Sequence, residues 1–146
     1  IYSLSPSGLE LFQRRYSFIA KLLISWVDKN LGENELQACL QSLGEQMAGE
    51  FESRVAKHIS AADQVREVAA IMCELGYDAS VKEHPGNDSE IIVNNCIFYQ
   101  LAEEHQGICE LDKSFLMTLL KTEIQHKDCI VRKGDYCCFA VGGQSG

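Results

Sequence analysis

The spacing of apolar residues changes its period at Gly76, and this change sets what the chain can fold into. Before it, Leu9, Phe12, Tyr16, Ile19, Leu23 and Trp26 recur at alternating steps of three and four. That is a heptad seam, which suits either a helix packed on its own domain or a seam between two chains. Ser5 can cap this helix and Pro6 fits its first turn. The Gly32–Asn34 stretch breaks the pattern. A second helix follows with Leu36, Leu40, Leu43 and Met47 inward, and Phe51 and Val55 continue its face. A third runs from Ala61 or Ala62 to Leu75, carrying Val65, Val68, Ala69, Met72 and Leu75, and stops at Gly76.

Beyond Gly76 the grammar is mixed. Residues 77–84 alternate as a strand, 85–88 form a turn, and 90–95 form a β-branched strand. A short helix over 98–105 stops at Gly107, and a longer one opens at Cys109. A final hairpin pairs 127–132 with 136–141 around Lys133-Gly134-Asp135. The fold class is therefore α+β: an N-terminal helical arm over 1–60, then a compact domain over 61–146 with a small, mostly antiparallel sheet and packed helices.

At 146 residues and 46% hydrophobic content, the chain can bury a core without covalent staples. Its net charge of −8 has the wrong sign for binding nucleic acid unaided. The apolar runs are too short to span a membrane, and no charged-then-apolar leader precedes them. We read the chain as part of a longer cytoplasmic protein. The odd number of cysteines, seven, fits poorly with a secreted disulfide framework.

Four of those cysteines gather late in the chain, as Cys96-x12-Cys109-x19-Cys129-x7-Cys137, with Cys138 adjacent. The spacing matches neither the paired knuckles of a zinc ribbon nor a ferredoxin run, so any ligands must meet through the fold. Placement favours a metal or redox centre. Cys109 opens a helix, where thiolate is favoured, and Cys129 and Cys137 lie on the two arms of one hairpin. On the last strand Cys137 shares a face with Phe139 and Val141, whereas Cys138 faces the other way. His126 competes for one ligand position. It stands three residues before Cys129, on the opposite face of a regular strand, so both can bind one metal only if a bulge or turn intervenes. Cys39 and Cys73 fall within helical patterns and read as packing residues. No phosphate loop, nucleophile elbow or metalloprotease motif is present, and no enzyme is expected.

Several stretches resemble a known family. Tyr2-Ser3-Leu4-Ser5-Pro6-Ser7-Gly8, Leu11-Phe12 and Arg15-Tyr16 look like the end of the wing and the outgoing helix of a winged-helix regulator. Asn95-Cys96, Leu101-Ala102, Ile108-Cys109, Phe115-Leu116, Leu119-Leu120 and Gly134-Asp135-Tyr136-Cys137 resemble the C-terminal half of SufR-like repressors of the iron–sulfur assembly operon. That resemblance implies the sensor and dimerisation part of a DNA-binding transcriptional regulator. It implies a homodimer through the N-terminal helix, DNA bound by a winged-helix domain, and an iron–sulfur cluster (2Fe-2S or 4Fe-4S) on Cys96, Cys109, Cys137 and Cys129, with His126 a replacement for one ligand. The hairpin Cys129-x7-Cys137 is also similar to sensor domains of the vinyl-reductase type, some of which hold zinc beside a small-molecule pocket. This alternative implies a zinc site in which His126 stands where that family has an acidic ligand. A metal-free dimerisation module is the remaining alternative.

Overall fold

The computed structural model describes residues 6–85, 88–95, 99–130 and 133–142, with backbone alone for 6–17, 99–101 and 106. The wing-like residues 2–5 and Cys96 lie outside the described residues. The chain forms two compact units, Ile1–Ala38 and Cys39–Gly146.

The first unit is dominated by helix α1, Pro6–Leu31, and its expected cap, Ser5, lies outside the described residues. It ends because Gly32 adopts φ +94°, a left-handed conformation open to glycine, with its N–H donating to the carbonyls of Val27 and Asp28. Phe18, Ile19, Leu22, Leu23 and Trp26 are all more than half exposed, so the part of the expected seam whose side chains are described, and its flank, stand in solvent. Helix α2, Glu33–Gly49, starts here with Glu33 and Glu35 in its first turn, where the helix dipole favours acids.

In the second unit, α2 continues and gives way to a short helix α3, Glu52–Ala56. The buried residues of α2 are Leu36, Leu40, Gly44 and Ala48, while Leu43, expected inward, is 42% exposed. The reason is Gly44, where a Cβ would stand 2.6 Å from the Leu111 carbonyl oxygen and 2.8 Å from Ser114 Cβ. The close-packed ridge therefore steps by four through Leu40, Gly44 and Ala48, which turns Leu43 outward.

Helix α4, Ala61–Glu74, starts and stops where its sequence pattern implies. The Ser60 side chain accepts from the Asp63 N–H at 3.2 Å. At the other end Gly76 has φ +106°, with Gly76 N–H donating to Cys73 and Tyr77 N–H to Met72. These two bonds make a Schellman stop sealed by the buried Tyr77.

Strands β1 (Ala79–Glu83) and β2 (Ser89–Val93) precede helices α5 (Tyr99–Glu104) and α6 (Cys109–Leu120). Strands β3 (Ile124–Asp128) and β4 (Cys137–Val141) follow. The sheet order is β1-β2-β4-β3, and every neighbouring pair is antiparallel. The mixed helix-and-sheet class is as expected. The final hairpin's first strand, however, lies three residues or more before the expected 127–132, because the ladder is spent before Cys129 and the chain turns there. One face of the sheet, with Ile91, Val93, Ile124 and Phe139, packs against Val68, Ile71 and Met72 of α4 and Phe115, Leu116 and Leu119 of α6. These side chains are nearly all inaccessible, and burying each contributes about 1.5–3 kcal/mol.

Candidate metal centre

Helix α6 begins on a 3-10 turn, Gln106–Ile108, which delivers Cys109 to its first helical position. Across the core from it, β3 carries a register shift between His126 and Asp128. His126 pairs with Phe139 and Asp128 with Cys138, so β3 spends two residues where β4 spends one. This is the bulge that the sequence required for His126 and Cys129 to act together. The extra residue restores Cys129 to the face that His126 occupies. Lys127 and Asp128 are exposed, while His126 is half-buried and Cys129 is 4% exposed.

Cys109, His126 and Cys129 each place one ligand atom so that all three lie within 4.8 Å of one another. The two sulfurs are 3.9 Å apart. With metal–sulfur bonds of about 2.3 Å, the edge of a tetrahedral site is about 3.8 Å, so this pair spans one metal's coordination edge. The His126 ring stacks on Phe139 with centroids 4.4 Å apart and planes 14° from parallel, which fixes its orientation. The hairpin turn closes on Cys129: Gly134 N–H donates to its carbonyl at 2.8 Å, and a Cβ at Gly134 would meet that same oxygen at 2.8 Å.

The other expected ligands divide. Cys137 is 6% exposed and lies in the same core cluster as Cys129, on the Phe139 face, as the strand pattern implied. Among the described residues, the atoms drawn within 4.8 Å come from Cys109, His126 and Cys129. Cys96 lies outside the described residues. Cys39 and Cys73 are corrected: both are exposed rather than packed. Cys39 precedes the buried Leu40 and Cys73 follows the buried Met72, each one step or about 100° round from its helix's inward face, and Cys73 instead donates to the Ala79 carbonyl at 3.2 Å.

Sequence reasoning missed a polar cluster on the opposite face of the sheet. Glu90 accepts from Lys127 Nζ at 3.0 Å, and its other oxygen lies 3.4 Å from His84 Nε2 and 3.5 Å from Cys138 Sγ. The Lys127 hydrogen bond, joined by those from His84 and Cys138, overcomes the cost of burial and lowers the Glu90 carboxyl to about 2. Cys138, 3% exposed, is driven the other way: burial first, then Glu90, pushes its thiol up to about 11. A thiol held so firmly protonated is a poor ligand and a poor nucleophile. The only sequence signal for this cluster was a charged residue, Glu90, inside a β-branched run.

A second missed acid, Asp112, lies one turn after Cys109. Burial pushes its carboxyl up to about 6, opposed by the hydrogen bond from the Tyr77 hydroxyl.

No protein-family model matches this chain, and no curated protein matches it. Solved structures do. The crystal structure of the phenol-responsive sensory domain of the transcription activator PoxR, with phenol, superposes with a TM-score of 0.64 at 8% identity, covering 89% of this chain and 76% of that one. An H-NOX protein from S. oneidensis in its Fe(II)NO ligation state gives a TM-score of 0.60 at 14% identity, covering 96% and 74%. At such identities the likeness is one of fold.

Proposed function

We propose that this chain is a sensory module of a transcriptional regulator, organised around one metal ion held by Cys109, His126 and Cys129, with zinc the best fit. The observation that carries this reading is the three-donor cluster within 4.8 Å, with sulfurs 3.9 Å apart. Two thiolates and an imidazole suit a borderline-soft metal. Three protein donors at one point exceed the two that each iron of a 2Fe-2S cluster takes. Cys137, Cys96 or an external ligand completes the coordination. The PoxR likeness supports a response to a small molecule rather than catalysis, since that sensory domain is phenol-responsive. The metal joins the start of α6 to the end of β3, so a change at the centre shifts helix against sheet.

The heptad residues Ile19, Leu23 and Trp26, each more than half exposed, support a homodimer formed through α1. DNA would be contacted by a winged-helix part, because the charge of −8 disfavours contact by this chain itself. The competing reading is the iron–sulfur sensor implied by the SufR-like stretches.

Anaerobic purification followed by metal and acid-labile sulfide analysis decides between them. A colourless protein with about one zinc per chain is expected. Brown protein with about two or four irons and matching sulfide overturns the zinc reading in favour of a cluster. A metal-free protein overturns both.

A further inference from the structure

We infer that Cys109 and Cys129 form a reversible dithiol switch: a hydroperoxide oxidises them to a disulfide, and the metal is released. The inference rests on the metal-centre reading and adds a regulatory input to that site.

Three observations carry it. The sulfurs stand 3.9 Å apart, so closing to a bond of about 2.05 Å needs an approach of about 1.9 Å. The two thiols differ in access. Cys109, at the first turn of α6, is half-buried and reachable, whereas Cys129 is 4% exposed. The reachable sulfur therefore meets the oxidant, and the shielded one waits behind it. Lastly, the remaining cysteines of the sheet are poor competitors: Cys138 lies on the opposite face, hydrogen-bonded to Glu90, and Cys137 lies outside the group in which the Cys109 and Cys129 donor atoms meet within 4.8 Å.

The chemistry balances. The Cys109 thiolate attacks the terminal peroxide oxygen, forming a sulfenic acid and expelling the other oxygen as hydroxide or alkoxide. The Cys129 thiolate then attacks the sulfenic sulfur, forming the S–S bond and expelling hydroxide. The thiolates together lose two electrons, the peroxide gains two, and solvent supplies two protons. A disulfide no longer offers two anionic sulfurs, so a metal left with His126 as its remaining partner in the cluster dissociates.

The test uses the chain carrying Cys39→Ser and Cys73→Ser, which removes the two exposed thiols from the reaction. Zinc-loaded protein is titrated with hydrogen peroxide while released zinc is read with a chromophoric chelator. The cysteine products are mapped by mass spectrometry without reduction. Release of about one zinc per chain, in step with a Cys109–Cys129 bridge and reversed by a dithiol reductant with added zinc, is expected. Retained zinc, a bridge to any other cysteine, or release accompanied by sulfinic acid in place of a bridge overturns the inference. With Cys129→Ser added, Cys109 lacks its resolving thiol and is expected to proceed to sulfinic acid; a reversible product there also overturns it. A protein that takes up no zinc yet forms the bridge defeats the metal-centre reading and leaves the dithiol pair standing.

Discussion

Cys137 and Cys138 are neighbours in sequence and sit on opposite faces of one strand, and the two faces do different chemistry. On the inner face, β4 turns Cys137 and Phe139 into the core, where the His126 ring stacks on Phe139 and leads to Cys109 and Cys129. On the outer face, burial and then the Glu90 carboxylate keep Cys138 protonated, and that same carboxylate takes Lys127 and His84 as its other partners. Strand alternation assigns each thiol its side. What surrounds that side then decides whether a thiol lies among other candidate donors or is an inert hydrogen-bonding group.

The sharpest way to break this contrast is to remove one thiol from each face. Cys109→Ser or Cys129→Ser should weaken zinc binding by more than about 100-fold, because a first-coordination ligand matters more than the outer partners worth 10–100-fold. Cys138→Ser should leave affinity and stoichiometry unchanged in a competition titration. Equal losses from both faces would erase the distinction.

The outer face is tested next, by acid. Glu90 is held at about 2 in the folded protein against 4.5 for an ordinary glutamate. A depressed acid contributes stability above the unfolded value and loses it as pH falls through the folded one, here between pH 4.5 and 2. About 3 kcal/mol is at stake. Denaturation of Glu90→Gln across that range should give a flatter profile and lower stability at pH 7; an unchanged slope would show that the cluster does not hold its charge.

A smaller effect is expected from Gly134→Ala, whose Cβ would press on the Cys129 backbone. A loss of about 2 kcal/mol in urea unfolding, with weaker zinc binding, is the expected result. Full zinc affinity in this variant would show that Cys129 is not positioned by the turn.

The smallest change concerns Asp112, raised from 3.8 to about 6. The folded state there holds a proton more tightly than the unfolded one, so stability falls as pH rises through that window and stays lower above it. Asp112→Asn should therefore stabilise the protein at pH 8 by about 1–2 kcal/mol in urea unfolding and change little at pH 4. Stabilisation of equal size at both values would count against a buried, titrating acid.

Parts of this molecule are legible in its sequence alone. Helix α4 is, because its apolar face recurs from Val65 to Met72 and Gly76 supplies the left-handed residue that stops it; the Ser60 cap at its start was seen only in the structure. Cys109 at a helix start and Cys137 on the inward face were read by the same local logic. Other features were not. The packing face of α2 was mistaken at Leu43 because a glycine, invisible to a hydrophobic pattern, sets the close approach to α6. The exposure of Cys39 and Cys73 was hidden because a cysteine one step off a buried face still satisfies a helical pattern. Of the metal centre, the candidates were visible, and even the condition that a bulge must separate His126 from Cys129. The bulge itself has no signature in Ile124-Gln125-His126-Lys127-Asp128.

The sequence by itself determined the change from helical to alternating period, the stops at Gly32 and Gly76, and the supply of thiols to a helix start and a hairpin. These depend on interactions within a few residues of each other, so they can be read in order along the chain. Only the tertiary structure decided which thiols meet. The residues between Cys109 and Cys129 hold a whole helix and a strand, and an approach of 3.9 Å depends on how α6 packs against the sheet and on the one extra residue in β3. Coordination acts over a few ångströms, and that precision comes from the packing of distant segments rather than from their spacing in the chain.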